Sequence, residues 1–257
     1  MKTLRVLTLN CWSEGFDFEK RWPVLARELR TLRPDVACLQ EVFKTKKAEA
    51  LRKSLNASIC VEGPKKSGLV ILSNSKCVAS GSIAYKAKSP HENYGRYALW
   101  ARLKIGGAEW DFFNTHLSWR PKDASTREQQ VSELRGWIDE KNSGARPVVV
   151  TGDFNTISQS NEMQFLLGKK WIYVSREGRA RVIKAHRPFQ DTFSAGPNTW
   201  SYSNSYTLRA DLPERRIDYI LRGQVTGPGP SRFCFNRPNE EKNFPSDHFG
   251  VMTIFRI

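Results

Sequence analysis

Short apolar runs that stop abruptly at a polar residue recur along this chain, and their spacing predicts its elements. Residues 4–10, Leu-Arg-Val-Leu-Thr-Leu-Asn, alternate as a half-buried strand does and stop at Asn10. Trp22, Leu25, Leu29 and Leu32 fall on one face of a helix over residues 19–32, and Pro34 ends it because proline disfavours helix at the residue before it. Val36-Ala37-Cys38-Leu39 is a continuous apolar run, the pattern of a strand buried on both faces, and it stops at Gln40-Glu41. Further strands are expected over 68–73, 76–84, 97–104 and 109–115, the last running into His116. Ser125-Thr126-Arg127-Glu128 reads as a capping box that opens a helix with Val131, Leu134 and Ile138 on one face. Val148-Val149-Val150-Thr151 is another buried strand and leads into Gly152-Asp153-Phe154-Asn155. A strand over 216–222 contains Asp218, and one over 249–256 follows Asp247-His248.

The pattern also locates a candidate site. Five apolar strands end at or beside Asn10, Glu41, His116, Asp153 with Asn155, and Asp247 with His248. In open α/β sheets, ligands bind just beyond strand ends. Both ends of the chain contribute, and no linker rich in proline, glycine or serine divides it, so one domain over 1–257 is expected.

Composition narrows the class of protein. With 257 residues, 39% hydrophobic and 26% charged, the chain can build one large core and is neither disordered nor fibrous. No run of about 18 apolar residues would cross a membrane. Met1 to Leu9 is too short in its apolar part for a signal peptide and reads better as a strand. The five cysteines are odd in number, none has CxxC spacing, and Cys11 and Cys38 sit in apolar runs. Reduced thiols, no zinc site of that type and a cytoplasmic location are therefore expected. The net charge of +15 biases the chain toward polyanions. The densest basic stretch is 169–187, with Lys169, Lys170, Arg176, Arg179, Arg181, Lys184 and Arg187 against the single acid Glu177, interleaved with Trp171 and Tyr173. Such a stretch suits a phosphate backbone with bases to stack on, and it follows Asp153 closely enough to lie beside a cleft there. A solvated loop or a surface for anionic lipid headgroups has the same composition.

The strand-end residues suit phosphoester hydrolysis. That chemistry needs neutralisation of phosphate charge, an activated water and a stabilised leaving oxygen. Mg²⁺ takes oxygen ligands, often one or two carboxylates, and Glu41 backed by the amide oxygen of Asn10 fits that need. A histidine with a carboxylate partner suits proton transfer, and Asp218 and Asp247 offer that partnership to His248. Taken singly, each has a plainer reading. Glu41 would be a solvated acid, His116 a hydrogen-bonded strand-end residue, Gly152 to Asn155 a turn, and Asp218 a partner for Arg215 or Arg216.

Six segments in order resemble the endonuclease/exonuclease/phosphatase superfamily, the deoxyribonuclease I-like group. They are Leu9-Asn10-Cys11-Trp12, Leu39-Gln40-Glu41-Val42, Asn114-Thr115-His116-Leu117, Gly152-Asp153-Phe154-Asn155, Arg216-Ile217-Asp218-Tyr219-Ile220-Leu221 and Ser246-Asp247-His248-Phe249. The resemblance implies a four-layer α/β sandwich, two mixed sheets face to face with helices outside. It implies a divalent-metal-dependent phosphodiesterase with Mg²⁺, or Mn²⁺ in its place, held by Glu41 with Asn10 near and Asp247 in support. It carries catalytic roles onto His248 (general base or phosphate-binding imidazolium), Asp218 (orienting His248), Asp153 (water), Asn155 (phosphate) and His116 (a phosphate oxygen or the leaving group). Arg96, in Tyr94-Gly95-Arg96-Tyr97, matches a weaker position that touches substrate. Members act on DNA, abasic sites, sphingomyelin, inositol phosphates or other phosphoesters. The Leu-Asn-Cys-Trp opening resembles neutral sphingomyelinases and lacks the glycine that follows this asparagine in apurinic endonucleases. Asp191-Thr192-Phe193 and Thr199-Trp200-Ser201-Tyr202 resemble exonuclease III-like enzymes. A monomeric nuclease for DNA or RNA with little sequence preference is expected, with Arg176, Arg179 and Arg181 on substrate, and a lipid or small-molecule phosphodiesterase is the alternative.

Overall fold

Burial on both faces, read from the apolar runs, produces two packed sheets in the computed structural model, which describes residues 2–144, 146–176, 179–208, 211–225 and 228–257. The first sheet has the order β13 (Pro228–Cys234), β14 (Gly250–Arg256), β1 (Thr3–Asn10), β2 (Val36–Gln40), β4 (Val70–Ser73), β3 (Ile59–Glu62). The second runs β11 (Gln190–Asp191), β12 (Asp218–Gly223), β8 (Val148–Asp153), β7 (Ala108–His116), β6 (Tyr97–Ile105), β5 (Lys76–Ala84). Both are mixed. β1 pairs with β2 in parallel through α1 (Phe18–Leu32), and β7 pairs with β8 in parallel through α3 (Ala124–Lys141), the long crossovers that parallel neighbours require.

The two-residue period of the strands sorts their side chains into three apolar layers. Leu4, Val6, Val36 and Ile71 meet Leu103, Phe112, Val149 and Ile220 between the sheets. Leu7, Leu9, Ala37 and Leu39 face outward onto Leu25 and Leu29 of α1 and Leu51 of α2 (Thr45–Ser54). Phe113, Val150 and Tyr219 face outward onto Val131, Leu134 and Trp137 of α3 and Met163 of α4 (Asn161–Leu166). The expected four-layer α/β sandwich is the fold observed.

Strand register brings the polar strand ends level. Asp153 lies opposite both Asp218 of β12 and His116 of β7, and Asn10 lies opposite Gln40. Gly152 is required for this alignment, though not as a turn former. It lies within β8 at φ 148°, where a Cβ would sit 2.1 Å from the carbonyl oxygen of Thr115. Gly152→Ala should therefore cost about 1–3 kcal/mol and lower Tm by roughly 3–10 °C. Calorimetry of the variant tests this, and an unchanged Tm would mean that β7 and β8 can separate freely.

The expected apolar face of α3 is observed, with Val131, Leu134 and Ile138 buried together, but other expectations need correction. The capping box is absent: a 3-10 turn, Pro121–Asp123, runs straight into α3, which begins at Ala124 with Asp123 at its N-cap and no side-chain cap. The Asp123 carboxylate accepts from Ser89 Oγ at 2.6 Å instead. The buried side of α3 is also partly polar, with Arg127, Gln130 and Arg135 beneath the surface. Finally, 169–187 is a hairpin, β9 (Ile172–Arg176) with β10 (Arg179–Ile183). Ile172 and Val174 anchor it in the layer beneath α3 and α4, while Tyr173 points to solvent. Among the described residues Cys11, Cys38, Cys77 and Cys234 are free thiols. No helix among the described residues is long and apolar enough to cross a membrane.

Candidate active site

The strand ends meet in a cleft of 320 Å³ lined by Asn10, Glu41, Arg96, His116, Asp153 and Asn155, with Asp247 and His248. Asn10, Glu41, Asp247 and His248 come from the ends of the first sheet and the loops beyond them; His116, Asp153 and Asn155 come from the second. One carboxamide joins the two sets. Asn10 Nδ2 donates to Glu41 Oε1 and to Asp153 Oδ2, each at 3.0 Å, while its Oδ1 accepts the Trp12 amide at 3.0 Å. Asn10 thus presents its nitrogen to the carboxylates. The sequence reading, which offered its oxygen beside Glu41, is corrected on this point.

Asp153 is central. Its Oδ1 accepts the Asn155 amide at 2.9 Å, and its Oδ2 lies 3.4 Å from His116 Nε2 and 3.7 Å from His248 Nε2. Burial alone would raise its pKa, but His248, His116 and the donors on Asn10 and Asn155 outweigh burial and hold it low, as a carboxylate. Asn155, at φ 50°, is turned so that its Nδ2 donates to the Leu117 carbonyl at 3.1 Å.

Asp218 lines no part of the cleft. It stands behind His248, with Oδ2 2.9 Å from Nδ1, so neither Arg215 nor Arg216 is its partner. Arg216 pairs instead with Asp191 at 2.6 Å. The Thr199 hydroxyl fixes Asp218 by accepting the amides of Ile217 and Asp218 at 3.0 and 3.1 Å. Ser246 does the same for His248, accepting its amide at 3.2 Å and donating to the Asn10 carbonyl at 2.6 Å. Burial works against charge on His248, yet Asp218, Asp153 and Asp247 face it and raise its pKa well above the ordinary value. His116 has the opposite fate: burial and the nearby Arg96 push it down to about 3, only partly offset by Asp153, so it is a neutral imidazole.

The donor chemistry suits a hard cation. Glu41, at φ 55° just past β2, is pushed up to about 7 by burial and by the neighbouring Asp247. Asp247 is raised by burial as well, with His248 and Arg21 opposing. Two crowded carboxylates raised in this way gain most from a divalent ion between them. Asp153, Asp218 and His248 also offer ligand atoms within 4.8 Å of one another. There, however, the His248–Asp218 hydrogen bond already occupies Nδ1, leaving only Nε2 toward the cleft.

Arg96 is held by Glu92 at 2.8 Å, and its guanidinium lies 4.9 Å above the Tyr94 ring. Arg181 is exposed on β10 and is not among the lining residues, and the side chains of Arg176 and Arg179, with Glu177, lie outside the described residues. The stretch 169–187 contributes nothing to the cleft lining among the described residues, because its apolar side holds it against α3. Among the lining residues to which the sequence reading gave no part in the site are Trp12, Tyr94, Trp119, Trp200 and Arg215, the last read there only as a partner for Asp218. Trp12 and Trp200 stood inside the motif segments, whereas Trp119 and Arg215 carry no local signal.

A family model described as the endonuclease/exonuclease/phosphatase family matches residues 7–248. Protein angel of Drosophila melanogaster is 26% identical over 228 residues, covering 81% of this chain and 60% of its own length. Nocturnin of Homo sapiens is 22% identical over 275 residues, covering 96% of this chain and again 60% of its own, so the chain spans less than two thirds of either relative. In solved structures, the chain superposes on D. rerio TDP2 complexed with single strand DNA product at a TM-score of 0.81, with 18% identity and full coverage of both chains.

Proposed function

Because the chain belongs to the endonuclease/exonuclease/phosphatase family of divalent-metal-dependent hydrolases, we propose that it hydrolyses phosphodiester bonds in nucleic acid, with single-stranded DNA or RNA in the cleft. The observation that carries this reading is the make-up of the cleft: carboxylates and imidazoles at its strand ends, together with Trp12, Tyr94, Trp119 and Trp200. Aromatic faces stack on any unpaired base, contributing about 1–3 kcal/mol per base without sequence preference. The net charge of +15 and the single-strand product held by the D. rerio structure point the same way.

Glu41 and Asp247 would hold the cation, Mg²⁺ or Mn²⁺, with Asn10 fixing the Glu41 carboxylate. When bound, the ion neutralises phosphate charge and draws on the leaving oxygen. Asp153, kept ionised among its donors, orients the attacking water and accepts its proton. His248, protonated against Asp218, donates to a phosphate oxygen as charge develops there. Neutral His116 and the Asn155 carboxamide hold further oxygens of the phosphate, and Arg96 borders the path of the strand.

Arg215 belongs with these groups. Its Nε is buried without a hydrogen-bond partner, no ion pair holds it among the described residues, and its guanidinium lies 5.5 Å over Trp200. An unpaired cation on the cleft wall is a ready donor to a non-bridging oxygen. Arg215→Ala should lower kcat/KM about 10- to 100-fold, the scale of one hydrogen bond to a charged group. Steady-state kinetics on an oligonucleotide check this, and a wild-type value would remove Arg215 from the site. The function itself is tested by a panel of single-stranded DNA, plasmid DNA, RNA, sphingomyelin vesicles and bis-p-nitrophenyl phosphate with Mg²⁺ or Mn²⁺. Cleavage of the single strands is expected. Release of a phosphorylated headgroup from the vesicles, with all nucleic acids intact, would replace this reading with a lipid phosphodiesterase.

A further inference from the structure

Beside Glu41 lies a second cavity, of 560 Å³, walled by Phe43, Lys44, Lys46, Lys65 and Lys66 against one acid, Glu62. We propose that it is a docking site for the flank of the nucleic-acid strand, its lysines on successive phosphates and its phenylalanine under a base; this rests on the nuclease reading of the neighbouring cleft.

Its position is fixed by the backbone. The loop between β3 and β4 is tied to the segment after β2 by the Val42 amide, which donates to the Gly68 carbonyl at 2.9 Å. Gly68, at φ 67°, lets the two segments touch, since a Cβ there would lie 2.8 Å from the Phe43 ring and 3.1 Å from the Glu41 Cα. The basic wall is therefore built onto the backbone that carries Glu41, two residues from Phe43. A strand whose scissile phosphate sits over Glu41 has its neighbouring phosphates within reach of these lysines.

The lysines are available for that task. Among the described residues Lys46, Lys65 and Lys66 are exposed and take part in no ion pair, and Lys44 approaches Glu14 only at 4.0 Å. Lys47, by contrast, is held by the Ser13 carbonyl and by Glu14, with its ammonium 3.7 Å from the Phe18 ring. Glu62 accepts from the Thr45 hydroxyl at 3.0 Å, so the acid is directed at the first turn of α2. That turn itself contains no acidic residue, so Glu62 is the one acid set against the lysines of this wall. Phe43 is 41% exposed at the edge of this wall, so part of its ring is open to a base. Charge on one wall and an open ring on the other match an alternation of phosphate and base. They match the headgroup layer of a membrane less well, because one shallow ring gives little insertion.

The test uses the full chain and a fluorescein-labelled single-stranded oligonucleotide, with anisotropy followed in chelator across a salt titration. Joint replacement of Lys46, Lys65 and Lys66 by Gln should reduce the salt slope of binding by about 2, roughly 0.7 for each lost phosphate contact. Affinity should fall roughly 10- to 100-fold at ~0.1 M salt. Phe43→Ser should weaken binding about fivefold or more with the slope unchanged, because stacking involves no counterion. Joint replacement of Lys169, Lys170 and Lys184 by Gln is the charge-matched control and should leave the slope near wild type. Hydrolysis of bis-p-nitrophenyl phosphate should be unaltered in all three variants. An unchanged slope in the first variant, or an equal loss in the control, would overturn the site. So would lysine-dependent binding to phosphatidylserine vesicles with oligonucleotide binding unaffected. If wild-type protein hydrolyses the small diester but neither binds nor cuts any nucleic acid, the nuclease reading fails, and this site with it; the three outcomes before it overturn the site alone.

Discussion

Glu41→Gln should reduce turnover on the order of 10³-fold or more, the scale of several kcal/mol of charge stabilisation at the reacting phosphate. The substitution keeps the shape of the side chain and one oxygen to face Asn10, but it removes the charge that a hard cation needs. A second readout separates loss of metal from loss of fold. Wild-type Tm should rise on adding Mg²⁺ or Mn²⁺, because an ion bound only by the folded state stabilises it by mass action. The variant should lose that rise. Without metal it should be at least as stable as wild type, since the crowding of Glu41 against Asp247 is relieved. Undiminished turnover of the wild-type protein in excess chelator would end the metal assignment.

His248→Ala should lower kcat by roughly 10²–10⁴-fold, with a smaller loss for Asp218→Asn, which leaves the imidazole in place. The pH profile gives the sign. The carboxylates around His248 raise its pKa above the ordinary value, so the imidazolium persists through neutral pH and is lost as pH rises through the raised value. If the proton on Nε2 assists the phosphate, wild-type kcat falls on that alkaline side. The residual activity of His248→Ala should lack this limb. A variant with near-wild-type kcat at saturating metal, or with the limb intact, would remove His248 from the chemistry.

The sequence carried more of this site than its elements would suggest, for a physical reason. A strand buried on both faces is mostly apolar, so the polar residue at its end stands out, as at Glu41 and Asp153; Asn10 and His116 end strands of more mixed pattern. What it could not carry was the direction of hydrogen bonds, such as the amide nitrogen of Asn10 turned to both carboxylates. Nor could it carry contacts made across the fold. Thr199 and Ser246 stood inside motif segments, but that they hold Asp218 and His248 through backbone amides shows only in the fold. Charge density misled most at 169–187, where the alternation of Ile172, Tyr173 and Val174 was the stronger signal: it binds the hairpin to the helix layer whatever its surface charge. The lysines at 44, 46, 65 and 66 are unremarkable as sequence, being split between the start of α2 and the β3–β4 loop, which the β2–β4 pairing brings together.

The carboxamide of Asn10, which reaches Glu41 on its own sheet and Asp153 on the other, makes catalysis a gauge of how the halves of the molecule slide on one another. Small changes in the apolar filling between the sheets, at Val36 or Val149 for instance, are therefore expected to alter turnover from outside the cleft.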